Sequence, residues 1–156
     1  MLSALALAAT ALAVAEPPLT PMDAITGDWV TGDGSAIVRL FACERDSESL
    51  CGHMIWIEDR AWVEDRFLGG EIIANFRFER GAWRKGQLTN PNDGNVYRGS
   101  ISLDDDGQLK LKGCALRVLC QSEMWKRLES LAGVGAAPED LMMDRLPQAI
   151  RVLPTR

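Results

Sequence analysis

The chain has 156 residues, 25% of them charged, and a formal net charge of −5. That length fits one domain with a core of its own, so cysteine cross-links would add to stability rather than substitute for packing. A mildly acidic chain with no basic run argues against nucleic acid and anionic membrane surfaces as partners.

The first segment, residues 2–15, has no charged side chain, is rich in Ala and Leu, and ends Ala13-Val14-Ala15. An apolar run closed by small residues reads as a secretory signal peptide, with cleavage expected after Ala15. It departs from the usual pattern in one respect, because no Lys or Arg precedes Arg39. A membrane span needs about 20 apolar residues, and Pro17-Pro18 stops this run too early. The expectation is a periplasmic or secreted protein without a stable membrane anchor. Residues 16–26 read as a linker.

From there the pattern is almost all strand. Short runs are expected at 27–31, 35–43, 50–58, 71–79, 82–89, 95–103, 108–114 and 119–128. In the fourth, Ile72, Ala74, Phe76 and Phe78 alternate with Glu71, Ile73, Asn75 and Arg77, mostly apolar against polar. In the fifth, the same period puts Trp83, Lys85 and Gln87 on one face. Gly32-Asp33-Gly34, Asn90-Pro91-Asn92-Asp93-Gly94 and Asp104-Asp105-Asp106-Gly107 are turn signals, since Gly and Asp-Gly supply positive φ. Eight antiparallel strands in an up-and-down meander are expected to close into a barrel, which removes exposed edges. The barrel domain spans 27–128. A longer connection at 59–70 interrupts it, and a tail at 129–156 follows, with a short helix expected from Pro138 to about Leu146, stopped by Pro147.

The four cysteines form two close pairs, Cys43 with Cys51 and Cys114 with Cys120. Each pair flanks a predicted hairpin end, where facing Cβ atoms come within bonding range. Four cysteines allow three connectivities, and the other two would link distant strands. An oxidising compartment agrees with the signal peptide.

Chemistry-bearing motifs are few. His53 is the single histidine, and it lacks a G-x-S-x-G elbow or a comparable nucleophile. The cysteine spacings do not match zinc ribbons. Asp104–Asp106 lacks the alternating ligands and distant Glu of a calcium loop. Glu71 and Glu123 are conceivable as glycosidase carboxylates, yet nothing selects them. The expectation is therefore no enzyme, no metal and no cofactor.

Gly27-Asp28-Trp29 resembles the G-x-W start of lipocalin-type barrels. A fuller set resembles DUF2147, a family of exported bacterial proteins. It comprises Trp29 with Asp33-Gly34-Ser35-Ala36, Cys43 with Leu50-Cys51-Gly52, and Trp56. Further along it adds Asn90-Pro91 with Asp93-Gly94 and Tyr97, Gly113-Cys114 with Leu119-Cys120, and finally Trp125 and Arg127. At 60–66 the sequence departs from the family's Pro- and Asn-rich connection. The resemblance implies a lipocalin-like (calycin-like) barrel and no established activity. It also implies that Arg127 stacks on Trp29 at a closed end, in line with the pairing of first and last strands that closure requires.

Alternation along the last strand puts Gln121, Glu123, Trp125 and Arg127 on one face. If Trp125 points inward, so do the polar three, which is costly unless they are paired with each other or with a ligand. The candidate site is therefore Tyr97, Gln121, Glu123 and Trp125, with Trp83 at its side. It would hold a small, partly apolar molecule, and Glu123 would favour a cationic or donor group unless Arg127 neutralises it. The other reading is a filled barrel that acts as a structural or interaction protein of the cell envelope, with an envelope protein as partner. An eight-stranded barrel allows either.

Overall fold

The structure, a computed structural model, describes residues 17–58, 67–115 and 118–129. The expected signal peptide, most of the 59–70 connection and the expected helix at 138–146 lie outside these residues.

A short helix, α1 (Pro21–Ile25), comes first, inside the stretch read as a linker. Its start is well specified. Thr20 accepts from the Asp23 backbone, the Asp23 carboxylate answers the Thr20 N–H, and Pro21 sits where no N–H is needed. Eight strands follow: β1 (Gly27–Val30), β2 (Ala36–Cys43), β3 (Asp46–Ile57), β4 (Glu71–Glu79), β5 (Ala82–Thr89), β6 (Val96–Leu103), β7 (Leu109–Ala115) and β8 (Leu119–Arg127). Each pairs antiparallel with its neighbour in sequence. β1 also pairs with β8, which closes the barrel. The hairpin disulfides are Cys43–Cys51 and Cys114–Cys120.

Simple alternation fails in β4 and β5, and the failure is shared. Ala74 lies opposite Gln87 and Arg77 opposite Arg84, and no pairing falls between. Asn75 and Lys85 take left-handed backbone there, with φ of 57° and 62°. One position of phase is lost in both strands. Ala74 and Gln87 consequently leave the face of Phe76 and Trp83, which corrects the grouping of Trp83 with Lys85 and Gln87. The cause is visible at Gly86, where an added Cβ would lie 2.1 Å from Cδ2 of Phe76. The Phe76 ring crosses over a residue that has no side chain, and both strands bend to admit it.

The core is lopsided. Trp29, Leu40, Leu50, Phe76, Ile101 and Leu109 are each no more than 1% exposed, and Trp83 joins them. They pack the end of the barrel where β1 begins and β8 finishes. Toward the other end, marked by the β1–β2, β5–β6 and β7–β8 turns, the interior is not filled.

Candidate ligand cavity

Arg127 lies 4.3 Å from the centroid of the Trp29 ring, and the two residues are register partners across the β1–β8 seam. The same guanidinium donates to the Thr26 and Ala24 carbonyls at 2.9 and 2.5 Å. The Trp29 indole donates to the Ile25 carbonyl at 2.9 Å. Arg127 thus ties the seam to the chain around α1, and α1 plugs this end with Ile25, which is 1% exposed. Gly27 belongs to the same device. Its φ is +123°, and a Cβ there would meet Nη1 of Arg127 at 2.9 Å.

The opposite end opens into a cavity of about 950 Å³. Its wall is apolar: Val38, Met54, Ile72, Ile73, Leu88 and Leu111, with Trp125 and Tyr97 supplying aromatic surface. Gly113 leaves room beside Leu88, whose Cδ1 would stand 3.4 Å from an added Cβ. The rim is polar, made of Thr31, Asp33, Ser35, Asn90, Asn92, Gln121, Ser122 and Glu123. Among the described lining residues there is no Lys, Arg or His.

Much of the rim chemistry shapes turns. Asp33 Oδ1 accepts from the Thr31 hydroxyl and from both the hydroxyl and the backbone N–H of Ser35, at 2.8–3.0 Å. These bonds, the Ser35 backbone first, hold the Asp33 carboxyl below the ordinary carboxylate range. Asn90 Oδ1 accepts from the Asn92 N–H at 3.0 Å. Glu123 reaches to the adjoining end of β1, where its Oε1 accepts from the Gly32 N–H at 2.7 Å. An added Cβ on Gly32 would crowd the Met124 carbonyl at 2.9 Å and Cγ of Glu123 at 3.1 Å. The backbone therefore passes directly over the carboxylate.

Of the five residues expected to line a site, Tyr97, Gln121, Glu123 and Trp125 border the cavity and Trp83 does not. Trp83 is 3% exposed and packs edge-on against Phe78, deeper in the barrel. Arg127 sits at the closed end, so it does not neutralise Glu123. Gln121 and Glu123 are on the inward face but solvent-exposed, because the cavity is open where they stand. Trp125 is 3% exposed, and its indole nitrogen has no hydrogen-bond partner among the described residues. Sequence reasoning missed Asp33, Asn90 and Asn92, which it took as turn residues, and Ser35, which it took as the start of the second strand. Their turns all lie at one end of the barrel, and chain order could have shown this. His53 is on the outer surface, stacked edge-on against Phe41. No group of three or more His, Cys, Asp or Glu suited to a metal ion occurs among the described residues.

Residues 27–127 match the family described as an uncharacterized protein conserved in bacteria, DUF2147. The chain belongs to the DUF2147 family. Among solved structures it is similar to HP1028 from Helicobacter pylori, a protein described as belonging to the lipocalin family. That similarity has a TM-score of 0.51 at 14% identity and covers 66% of this chain and 82% of that one. It shows the fold alone, a lipocalin-like barrel. No curated protein matches the chain. The matched DUF2147 segment begins at Gly27 and ends at Arg127, and so it coincides with the closed β-barrel.

Proposed function

We propose that this DUF2147 barrel is an exported, non-catalytic binding module that holds one small amphipathic molecule in its mouth-side cavity. The observation behind this reading is the half-hollow interior. Side chains pack the closed end, while an apolar-walled space of about 950 Å³ opens at the other. That volume lies within the range of about 300–1,000 Å³ usual for small-molecule pockets. The apolar wall suits a hydrocarbon or ring system. The carboxylates of Asp33 and Glu123 at the rim, with no described cation among the lining residues, suit a cationic or hydrogen-bond-donating head. Export agrees with the two hairpin disulfides, which persist outside reducing compartments.

Native mass spectrometry of the protein purified from the bacterial envelope tests the reading directly. A retained small molecule is expected in the wild type and absent from Gly113→Leu. That variant puts a side chain into the cavity at a site whose nearest atom stands at ordinary contact distance. Glu123→Gln keeps an acceptor for the Gly32 N–H and removes the charge, so affinity for a cationic ligand should fall roughly tenfold. Trp125 fluorescence reports on the same site. Unchanged binding in both variants would place the ligand elsewhere.

A further inference from the structure

The outer face of β5–β7 has a charge opposite to that of the cavity rim behind it. Register sets Arg84 beside Ser100, Ser100 beside Lys112, and Arg98 beside Cys114. Arg84, Lys85, Arg98 and Lys112 line a groove of about 840 Å³ on this face, and no carboxylate is among its described lining residues. Lys85 is engaged with Glu79 at 2.7 Å. Arg98 and Lys112 pair with no described residue, and Arg84 makes one bond of 3.3 Å to the Glu79 carbonyl. Like charges gathered on one sheet face are destabilising in isolation, and the clustering is unusual in a chain with net charge −5. The sequence concealed it because the cations come from three strands, one or two at a time.

A second feature lies at the mouth end of the same wall. Val96, Val118 and Leu119 are 58%, 79% and 67% exposed. Val96 starts β6 and lines the basic groove, whereas Val118 and Leu119 stand at the β7–β8 turn beside the cavity mouth. Cations next to protruding aliphatic side chains match a bilayer interface, where phosphates take the charge and the acyl boundary takes the apolar tips. A soluble anion would make no use of the three aliphatic residues. Long-range repulsion from the acidic remainder is screened beyond about 8–10 Å at physiological salt, so the local patch governs contact.

We infer that the outer wall of β5–β7, with Val118 and Leu119 at the start of β8, docks this barrel on an anionic lipid bilayer, with Arg84, Arg98 and Lys112 facing the headgroup phosphates and Val118 and Leu119 facing the acyl boundary. The inference does not depend on the cavity holding a ligand, although docking this way would bring the mouth to the bilayer.

Sedimentation of the oxidised protein with vesicles of phosphatidylcholine, with and without phosphatidylglycerol, tests it. Binding should require phosphatidylglycerol and weaken as salt is raised. Arg98→Gln combined with Lys112→Gln should lower the partition coefficient roughly thirtyfold. Val118→Ser combined with Leu119→Ser should lower it as well, with the unfolding temperature of each variant unchanged. Arg45→Gln, in the β2–β3 turn at the far end, should bind like the wild type. Equal binding to both vesicle types, no binding to either, or an equal loss in Arg45→Gln would overturn the inference. So would tight binding of inositol hexakisphosphate without vesicle uptake, which would mark a site for soluble anions. The salt and lipid arms use the wild type alone and stand even if a variant misfolds.

Discussion

The two ends of the barrel handle polar groups in different ways. At the closed end the Arg127 guanidinium has two backbone carbonyls and the Trp29 ring, and the Trp29 indole has the Ile25 carbonyl. At the mouth Gln121 and Glu123 stand exposed, and the aromatic Trp125 beneath them has an indole N–H without a described partner. A polar group satisfied inside the protein contributes to the fold. At the lip of the apolar cavity the exposed Gln121 and Glu123 lean less on the interior, Glu123 keeping one bond to the Gly32 N–H, and their remaining polar capacity is available to something else. Changes at the closed end should therefore be felt as stability, and changes at the mouth as binding.

The largest effect is expected at Trp29, which is fully buried. Trp29→Ala should cost about 3–5 kcal/mol in chemical denaturation, the range for truncating a buried aromatic. A loss below about 1 kcal/mol would mean that the plug around α1 collapses to refill the space. Next come the disulfides. Replacing either cysteine pair with Ala should cost about 2–3 kcal/mol in the chain-entropy model, since the two loops are of similar length. If the Cys114–Cys120 pair, near the mouth, proves much less costly than Cys43–Cys51, the mouth is the looser end in the unfolding sense too.

Arg127→Lys is expected to cost about 2 kcal/mol, because Lys keeps the charge but cannot hold two carbonyls while lying flat on the indole. A cost under about 0.5 kcal/mol would make the seam contact incidental. Acid should act on both ends. Asp23 at the α1 cap and Asp33 at the rim are both held below the ordinary carboxylate range by hydrogen bonds. A depressed folded-state pKa gives stability that is present above the unfolded value and is lost as pH falls through the folded one. The unfolding temperature should hold steady above about pH 5 and decline below about pH 4. An increase in that window would reverse the sign and refute the assignment. The smallest effect belongs to the mouth. Glu123→Gln should shift stability by less than about 0.5 kcal/mol, since the exposed side chain keeps an acceptor for Gly32. A larger loss would show that Glu123 serves the fold and would remove it from the binding argument.

The sequence by itself determined the barrel, the cysteine partners and the seam. Short strands with turn chemistry between them leave few ways to satisfy backbone hydrogen bonds, and cysteines close in sequence across a hairpin meet without help from distant residues. Trp29 and Arg127 were legible because closure brings the first and last strands together whatever lies between. Alternation in β8 placed Gln121, Glu123 and Trp125 on one face, since no bulge interrupts its pairing with β7. Only the tertiary structure decided the rest. In β4 and β5 the phase depends on Phe76 crossing Gly86, a contact between strands that neither strand shows alone. α1 is too short to announce itself by period, and it is held by Arg127, about a hundred residues away in the chain. The division into a packed half and a hollow half depends on which inward side chains fall at the same height, and the basic wall depends on which outward ones do. Both are set by cross-strand register, a relation between distant segments that the pattern along any one segment does not contain.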